Sequence, residues 1–466
     1  MLKKFLATAS VAGLLAGAAS ALEVEAVTSA AAVGNPTPLA AQLDYAGGAV
    51  ATSGAHNQLR FQFYPTGGTF PTGNVVLRAV VSGAVFSGGL TGAEVTTPAP
   101  GTSVVSSGGV ADGNEVVFLL SDVSACSAAG NCFVDLPLEL SSGNVSVQVG
   151  MQTDAGVPID NSSLTNLKAE TLAIEVPAFD ANIVADTTDS QATLASLFTA
   201  LTDGVLGTIE VLPNLVNVGS VAVPDLVTAQ RDLLGNAVDA GGTDVASIGL
   251  VVDGAMAPFD PVVAPAGGSF AIGGLSVAVD STDNDATATG AAISTVYTVT
   301  ATPDGTSSIE RSEYGVSIVV NVAPTSPLTA GATFSGDLEP ITREGTEVTF
   351  PWTQTATQGE ASGATSVFRI GNLGASDTGA VFAEVRNASE AGFTSPGIVQ
   401  LAPSIDGNGE FVINSADLEA AVGNYGRGDV NFIVEANANT LTGRQFVVRN
   451  GVIQQVIGGT VFQDQN

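Results

Sequence analysis

The chain is expected to be mainly β, with two or three Ig-like or jelly-roll-type antiparallel β-sandwich domains and a small two-helix insertion. Three observations lead there. Apolar and polar residues alternate with period two in short runs. Leu59, Phe61 and Phe63 against Arg60, Gln62 and Tyr64 is one such run, the pattern of a strand with one packed and one wet face. Turn residues punctuate the runs, as in PTGG from Pro65 and PTGN from Pro71. Finally, 45% of the 466 residues are hydrophobic and only 12% are charged, enough apolar surface to offset the ordering entropy of several cores.

The first residues read MLKKFLATASVAGLLAGAASA, with Lys3 and Lys4 ahead of an apolar run and Ala19, Ser20 and Ala21 at a small-residue cleavage site. This is the pattern of a bacterial secretory signal peptide over residues 1–21. From residue 22 to 185 the pattern is strand and turn, with further strands expected at Asn74 to Val81, Glu115 to Leu120, Val145 to Val149 and Leu172 to Val176. These make a first β-sandwich domain.

Residues 186–242 change period. Leu194, Leu197, Phe198 and Leu201 fall at i, i+3, i+4 and i+7 behind Asp189 or Ser190, and Leu226, Ala229, Leu233 and Ala237 repeat the device after Pro224 and Asp225. Two amphipathic helices are expected there as a connector that covers a sheet edge or joins two sandwiches. Strands resume over residues 243–345, a second sandwich domain, at Val296 to Thr300 and Val316 to Val322. TAGATFSGDL from Thr329 echoes SGAVFSGGL from Ser82, the mark of a diverged internal duplication or of chance likeness between two Gly-rich turns.

Residues 346–466 form the C-terminal sandwich domain. Alternation returns at Phe368 and Ile370, at Val381 and Ala383, and at Phe432 and Val434. One short helix interrupts it, with Ser415 capping Ala416 to Ala421 and Gly423 closing the end. Here Phe368–Asn372 reads FRIGN, Thr378–Val381 reads TGAV and Ser415–Gly423 reads SADLEAAVG. The stretch resembles a β-sandwich module near the ends of exported proteobacterial proteins, in which an "xRIxN" strand, a "tGxV" hairpin and a "SADLExxxG" helical turn follow in that order. The resemblance implies an architecture, not a reaction.

The formal charge is −32, and loss of Lys3 and Lys4 with the signal makes it −34. Such a surface repels phosphate backbones, so no nucleic-acid partner is expected. It also repels itself, which divalent cations or high salt would relieve. After residue 21 no apolar run reaches the about 20 residues of a transmembrane helix. Five Tyr and one Trp are few for the aromatic girdles of a membrane barrel.

Residues with chemical potential are sparse. Cys126 and Cys132 bracket SAAGN, and in an exported protein so close a pair is expected to form a disulfide that pins a loop. His56 is the sole histidine. No G-x-S-x-G elbow accompanies it, so a turn histidine is expected. Asp280, Asp283 and Asp285, in DSTDND, suit calcium, the alternative being a solvated turn. In DGNGEFVINSAD, Asp406, Asn408, Glu410 and Asp417 fall near calcium-loop offsets, but Phe411 stands where such a loop needs Gly, so a turn on Gly407 and Gly409 is the stronger expectation. A sugar cleft would want aromatic platforms, and Trp352 stands alone; it is expected as a core or interface anchor.

No catalytic residue and no bound cofactor are assigned, calcium being the one cofactor the acidic turns suit, and the residues argue against an enzyme. Poverty in Lys, His, Trp and Cys with abundant Ala, Gly, Val, Thr, Ser and Asp is similar to bacterial surface-layer and matrix proteins. The resemblance implies an exported, self-associating structural protein, secreted or on the outer surface of a Gram-negative cell, in which calcium can bridge like-charged neighbours. The alternative is an adhesin or carbohydrate-binding module using loops at the sandwich ends, with cell-surface glycans as partners.

Overall fold

A computed structural model describes residues 22–27, 36–43, 45, 48–49, 59–65, 69–126, 131–159, 162–217, 227–229, 244–262, 267–360 and 363–462. The expected signal peptide, His56 and most of the second expected helix lie outside them. The chain is mainly β, and the sheets are mostly antiparallel. Among the described residues no helix is long and apolar enough to cross a membrane.

The chain separates into two compact units, each drawn from non-consecutive segments. The first comprises Met1–Asp180, Leu212–Ala246 and Val320–Ala332; the second comprises Ala181–Val211, Ser247–Val319 and Thr333–Asn466.

In the first unit a six-stranded sheet runs Thr37–Ala40, Lys168–Val176, Val145–Thr153, Asn74–Ser82, Glu115–Ser121, Thr102–Gly108. Only its Thr37–Ala40 pairing is parallel. Asn74–Ser82 shows why these residues make strand. Val75, Leu77, Ala79 and Val81 are fully buried while the residues between them are not, the half-buried alternation that β-branched side chains favour. A four-stranded sheet, Leu22–Ala26, Leu59–Pro65, Phe133–Leu136, Val95–Thr96, alternates likewise except at Gln62, which is buried between Phe61 and Phe63. It meets the larger sheet where Lys168 pairs with Glu23 and the Ala26 amide donates to Glu170 Oε1 at 3.1 Å.

Most of a four-stranded sheet, Phe179–Ala185, Val205–Pro213, Tyr297–Thr302, Ser269–Ile272, belongs to the second unit. So does most of a five-stranded one, Val277–Asp280, Asp285–Thr289, Val245–Asp253, Gly315–Val322, Ala332–Asp337. The C-terminal part of that unit is a sandwich. One sheet orders Val399–Ala402, Val381–Arg386, Arg427–Val434, Thr346–Gln354, Thr460–Phe462; the other orders Glu410–Asn414, Ala364–Asn372, Leu441–Arg449, Val452–Gly458. The inward residues of both sheets make one core. At its centre Phe368 of the second sheet lies 5.4 Å from both Phe350 and Phe432 of the first, spacing at which tilted rings gain beyond their buried area.

Two expectations about helices need correction. Over 194–201 there is only a 3₁₀ turn, Leu194–Ser196, closed by Leu197 and Phe198 in left-handed conformation. Ser196 Oγ accepts from the Thr199 and Ala200 amides, and local side-chain bonds of this kind compete with helix. Within the second expected helix, Val227–Ala229 is a strand paired with Leu215–Asn217. The C-terminal helix does form, as Ser415–Val422, but its cap is Asn414, whose Oδ1 accepts from the Ala416 and Asp417 amides. The phenylalanines of the echo between Ser82 and Thr329 differ in burial. Phe86 is buried at the edge of a three-stranded sheet, Gly48–Ala49, Leu138–Leu140, Ala84–Phe86, whereas Phe334 is partly exposed on Ala332–Asp337.

Candidate functional site

Several residues behind the C-terminal resemblance do architectural work. Ile370 is core, and Asn372, 2% exposed, is the hub of the loops beside it. Its Nδ2 donates to the carbonyls of Ser376, Ile405 and Asp406 at 2.8, 3.3 and 3.1 Å, and its Oδ1 accepts from the Gly374 amide at 2.9 Å. At Gly379 any Cβ would collide with the Glu435 carboxylate, which accepts from the neighbouring Ala380 amide. Leu418 and Val422 carry the short helix into the core.

The predicted site residues are scattered. Cys126 and Cys132 are disulfide-bonded, with Cα atoms 5.5 Å apart and both residues buried. Asp406 and Asn408 sit in a tight turn in which the Gly409 amide donates to Asp406 O at 2.9 Å and Asn408 is left-handed. Glu410 faces Arg369 at 3.4 Å. Asp417 accepts from Asn414 Nδ2 at the helix start, so the four do not converge. Trp352 is 78% exposed, at a bulge in Thr346–Gln354 and with φ of 54°, which rules out the core role.

The acidic turn closes a hairpin. Asp280 Oδ1 accepts from the Thr282 and Asp283 amides, and these bonds hold its carboxyl below the usual range. Asp285 stands opposite both Asp280 and Asp253 in register. Burial, then Asp280, Asp283 and Asp253, push its carboxyl up. Among the described residues no group of three or more His, Cys, Asp or Glu is arranged to hold a metal ion.

Two features escaped the sequence. One is an ion network, buried at Arg343 and Glu347 and open to solvent at Glu310 and Arg386, on the outer face of the five-stranded C-terminal sheet. Arg343, 1% exposed, donates through Nε to Ile309 O at 2.6 Å and through Nη2 to Ser308 Oγ and Glu310 Oε1 at 2.8 and 3.0 Å. Its Nη1 lies 3.5 Å from Glu384 and 3.8 Å from Glu347, and its guanidinium covers the Phe198 ring at 4.6 Å. Arg311 pairs with Glu347 at 3.1 Å, and Arg386 with Glu384 and Glu310 at 2.8 and 2.9 Å. Burial works against the Arg386 charge, but Glu384 and Glu310 outweigh it and hold its pKa above the ordinary value. Three guanidinium groups balance three carboxylates. The arrangement clamps the 308–311 segment to the sheet.

The other feature is the outer face of the four-stranded C-terminal sheet. An open groove of about 470 Å³ is lined by Arg369, Asn372, Asn408, Glu410, Thr442 and Arg444, among others. Beyond it the edge strand Val452–Gly458 exposes Val452, Ile453 and Val456 at 59, 56 and 56%.

Compared with known proteins, the chain matches no family model and no curated protein. Among solved structures it is similar to BcpA, the major pilin subunit of Bacillus cereus, at 11% identity over 83% of this chain and 94% of that chain, with a TM-score of 0.20. A score that low carries no argument about function.

Proposed function

We propose that the chain is an exported structural subunit of a cell surface or extracellular matrix, with no enzymatic role, that associates with copies of itself. One observation carries the reading. The edge strand VIQQVIG, Val452–Gly458, is paired on one side only among the described residues, and it holds neither a charge nor a proline. Soluble proteins ordinarily blunt such an edge with Lys, Pro or a covering loop, because its open backbone groups recruit another strand. In a chain of net charge −32 an uncharged apolar edge is where two copies can approach with least repulsion. Cations, calcium included, assist by screening the acidic surface.

The exposed Trp352, held in a left-handed conformation uncommon for a bulky residue, favours a second reading, a binding module that stacks a sugar on the indole. Light scattering across millimolar calcium and high salt tests the first: a mass that grows with salt is expected, and a monomer under every condition sinks it. Glycan arrays with the parent and Trp352→Ala chains test the second.

A further inference from the structure

The outer face of the four-stranded C-terminal sheet carries two arginines directly opposite one another, Arg369 on Ala364–Asn372 and Arg444 on Leu441–Arg449. Like charges in register across a strand pair repel. Glu410, 3.4 Å from Arg369, compensates one of them; Arg444 forms no ion pair among the described residues. Both line the open groove of about 470 Å³ together with Asn408 and Thr442, whose side chains add neutral hydrogen-bonding groups to the cations. A groove that carries two arginines against the single carboxylate of Glu410 is out of keeping with a chain that has 13 Lys and Arg against 45 Asp and Glu.

The same chain holds the opposite defect elsewhere. Asp253, Asp285 and Asp280 stand in one row across three neighbouring strands, with Asp283 in the turn beside them. None of the four forms an ion pair among the described residues, and the row already resists ionisation at Asp285. Strands lie about 4.8 Å apart, so the carboxylate row and the guanidinium row share a spacing as well as opposite signs.

We infer that the groove around Arg369 and Arg444 is the seat of the Asp280–Asp285 hairpin of a second copy. This rests on the self-association reading and gives it a second contact, heterologous because groove and hairpin are different patches. Heterologous contacts build rings or filaments, not closed pairs. At about 0.15 M salt the Debye length of about 8 Å screens the long-range repulsion of the two acidic bodies while leaving close pairs attractive. At 1 M the close pairs weaken too, whereas apolar edge pairing does not.

The test is sedimentation velocity of three full-length chains in EDTA at 0.15 M and 1 M salt: the parent, Arg369→Gln with Arg444→Gln, and Asp280→Asn with Asp283→Asn and Asp285→Asn. All five side chains lie at the surface or partly so, and unchanged melting controls for folding. Each variant should associate at least tenfold more weakly than the parent at 0.15 M and equally at 1 M. Mixing the two should recover a heterodimer, since each still offers the half the other lacks. A parent that associates while both variants match it at 0.15 M overturns this contact and leaves the edge-strand reading standing; a parent that stays monomeric at both salts removes both. Polygalacturonate serves as a competing polyanion. Displacement of the association by it supports the groove as the seat, and binding that leaves association unchanged overturns it.

Discussion

Arg343 shows how much a single side chain can hold. Its guanidinium is fully enclosed and touches Ile309 O, Ser308, Glu310, Glu384 and Glu347 at once. Removing one member of such a network leaves buried charge without compensation, which is strongly destabilising. Arg343→Met should therefore lower stability by about 3–5 kcal/mol in denaturant melts. Asn372 makes a sharper case for hydrogen bonding as such. Asn372→Ala strands three carbonyls that its Nδ2 now serves and should cost about 3 kcal/mol. Asn372→Asp keeps the shape and the Gly374 bond but turns a carboxylate oxygen toward those carbonyls. It should lose at least as much, and an Asp variant as stable as the parent would show that packing, not donation, is what matters there.

At the scale of elements, the strands were the legible part. Asn74–Ser82, Glu115–Ser121 and Gly315–Val322 lie where the period-two pattern put them, because in those strands alternation reflects one buried face. The expected helix at Leu194 was not legible, since a tight turn that buries Leu194 and Phe198 also satisfies an i, i+4 apolar pair. Sequence spacing cannot tell the two apart when Thr and Ser supply competing bonds. The ion network was hidden for another reason: Arg343 meets Glu310 and Glu384 across 33 and 41 residues of chain, and only the sheet pairing brings them together. The edge strand was half legible. VIQQVIG reads as strand, but nothing local says which of its sides stays unpaired. Val456→Lys places a charge on that edge at a position already more than half exposed. It should change stability by no more than about 0.5 kcal/mol while weakening association at 1 M salt at least tenfold. Unaltered association would move the contact elsewhere.

Over the whole molecule the balance of carboxylates sets how stability follows pH, and two groups of acids pull in opposite directions. Glu170, Asp285 and Glu339 have their pKa values raised, by burial first and by neighbouring carboxylates after it. A raised pKa means the folded state binds the proton more readily. Their contribution is fully present below the unfolded values of 4.5 for Glu and 3.8 for Asp and is lost as pH rises through the folded ones. Asp304 is the reverse. Burial alone would raise it, but bonds from Ser307 and Thr306 outweigh that and hold it down to about 2. Its contribution is present above its unfolded value of 3.8 and is lost as pH falls toward about 2. Discounted for its exposure to water, that contribution is about 1 kcal/mol or less. Net repulsion acts with the first group, since protonation near pH 4 discharges much of the −32. The melting temperature at 0.15 M salt should therefore peak in the weakly acidic range near pH 4–5, fall toward neutrality, and fall again below about pH 3. Raising salt at pH 7 should recover part of the neutral-pH loss by screening alone, whereas at the acid optimum the same salt should do little. A melting temperature that climbs steadily from pH 4 to pH 7, or one indifferent to salt at neutrality, would mean that the acidic surface is neutralised within the fold and does not act as a repelling skin between copies.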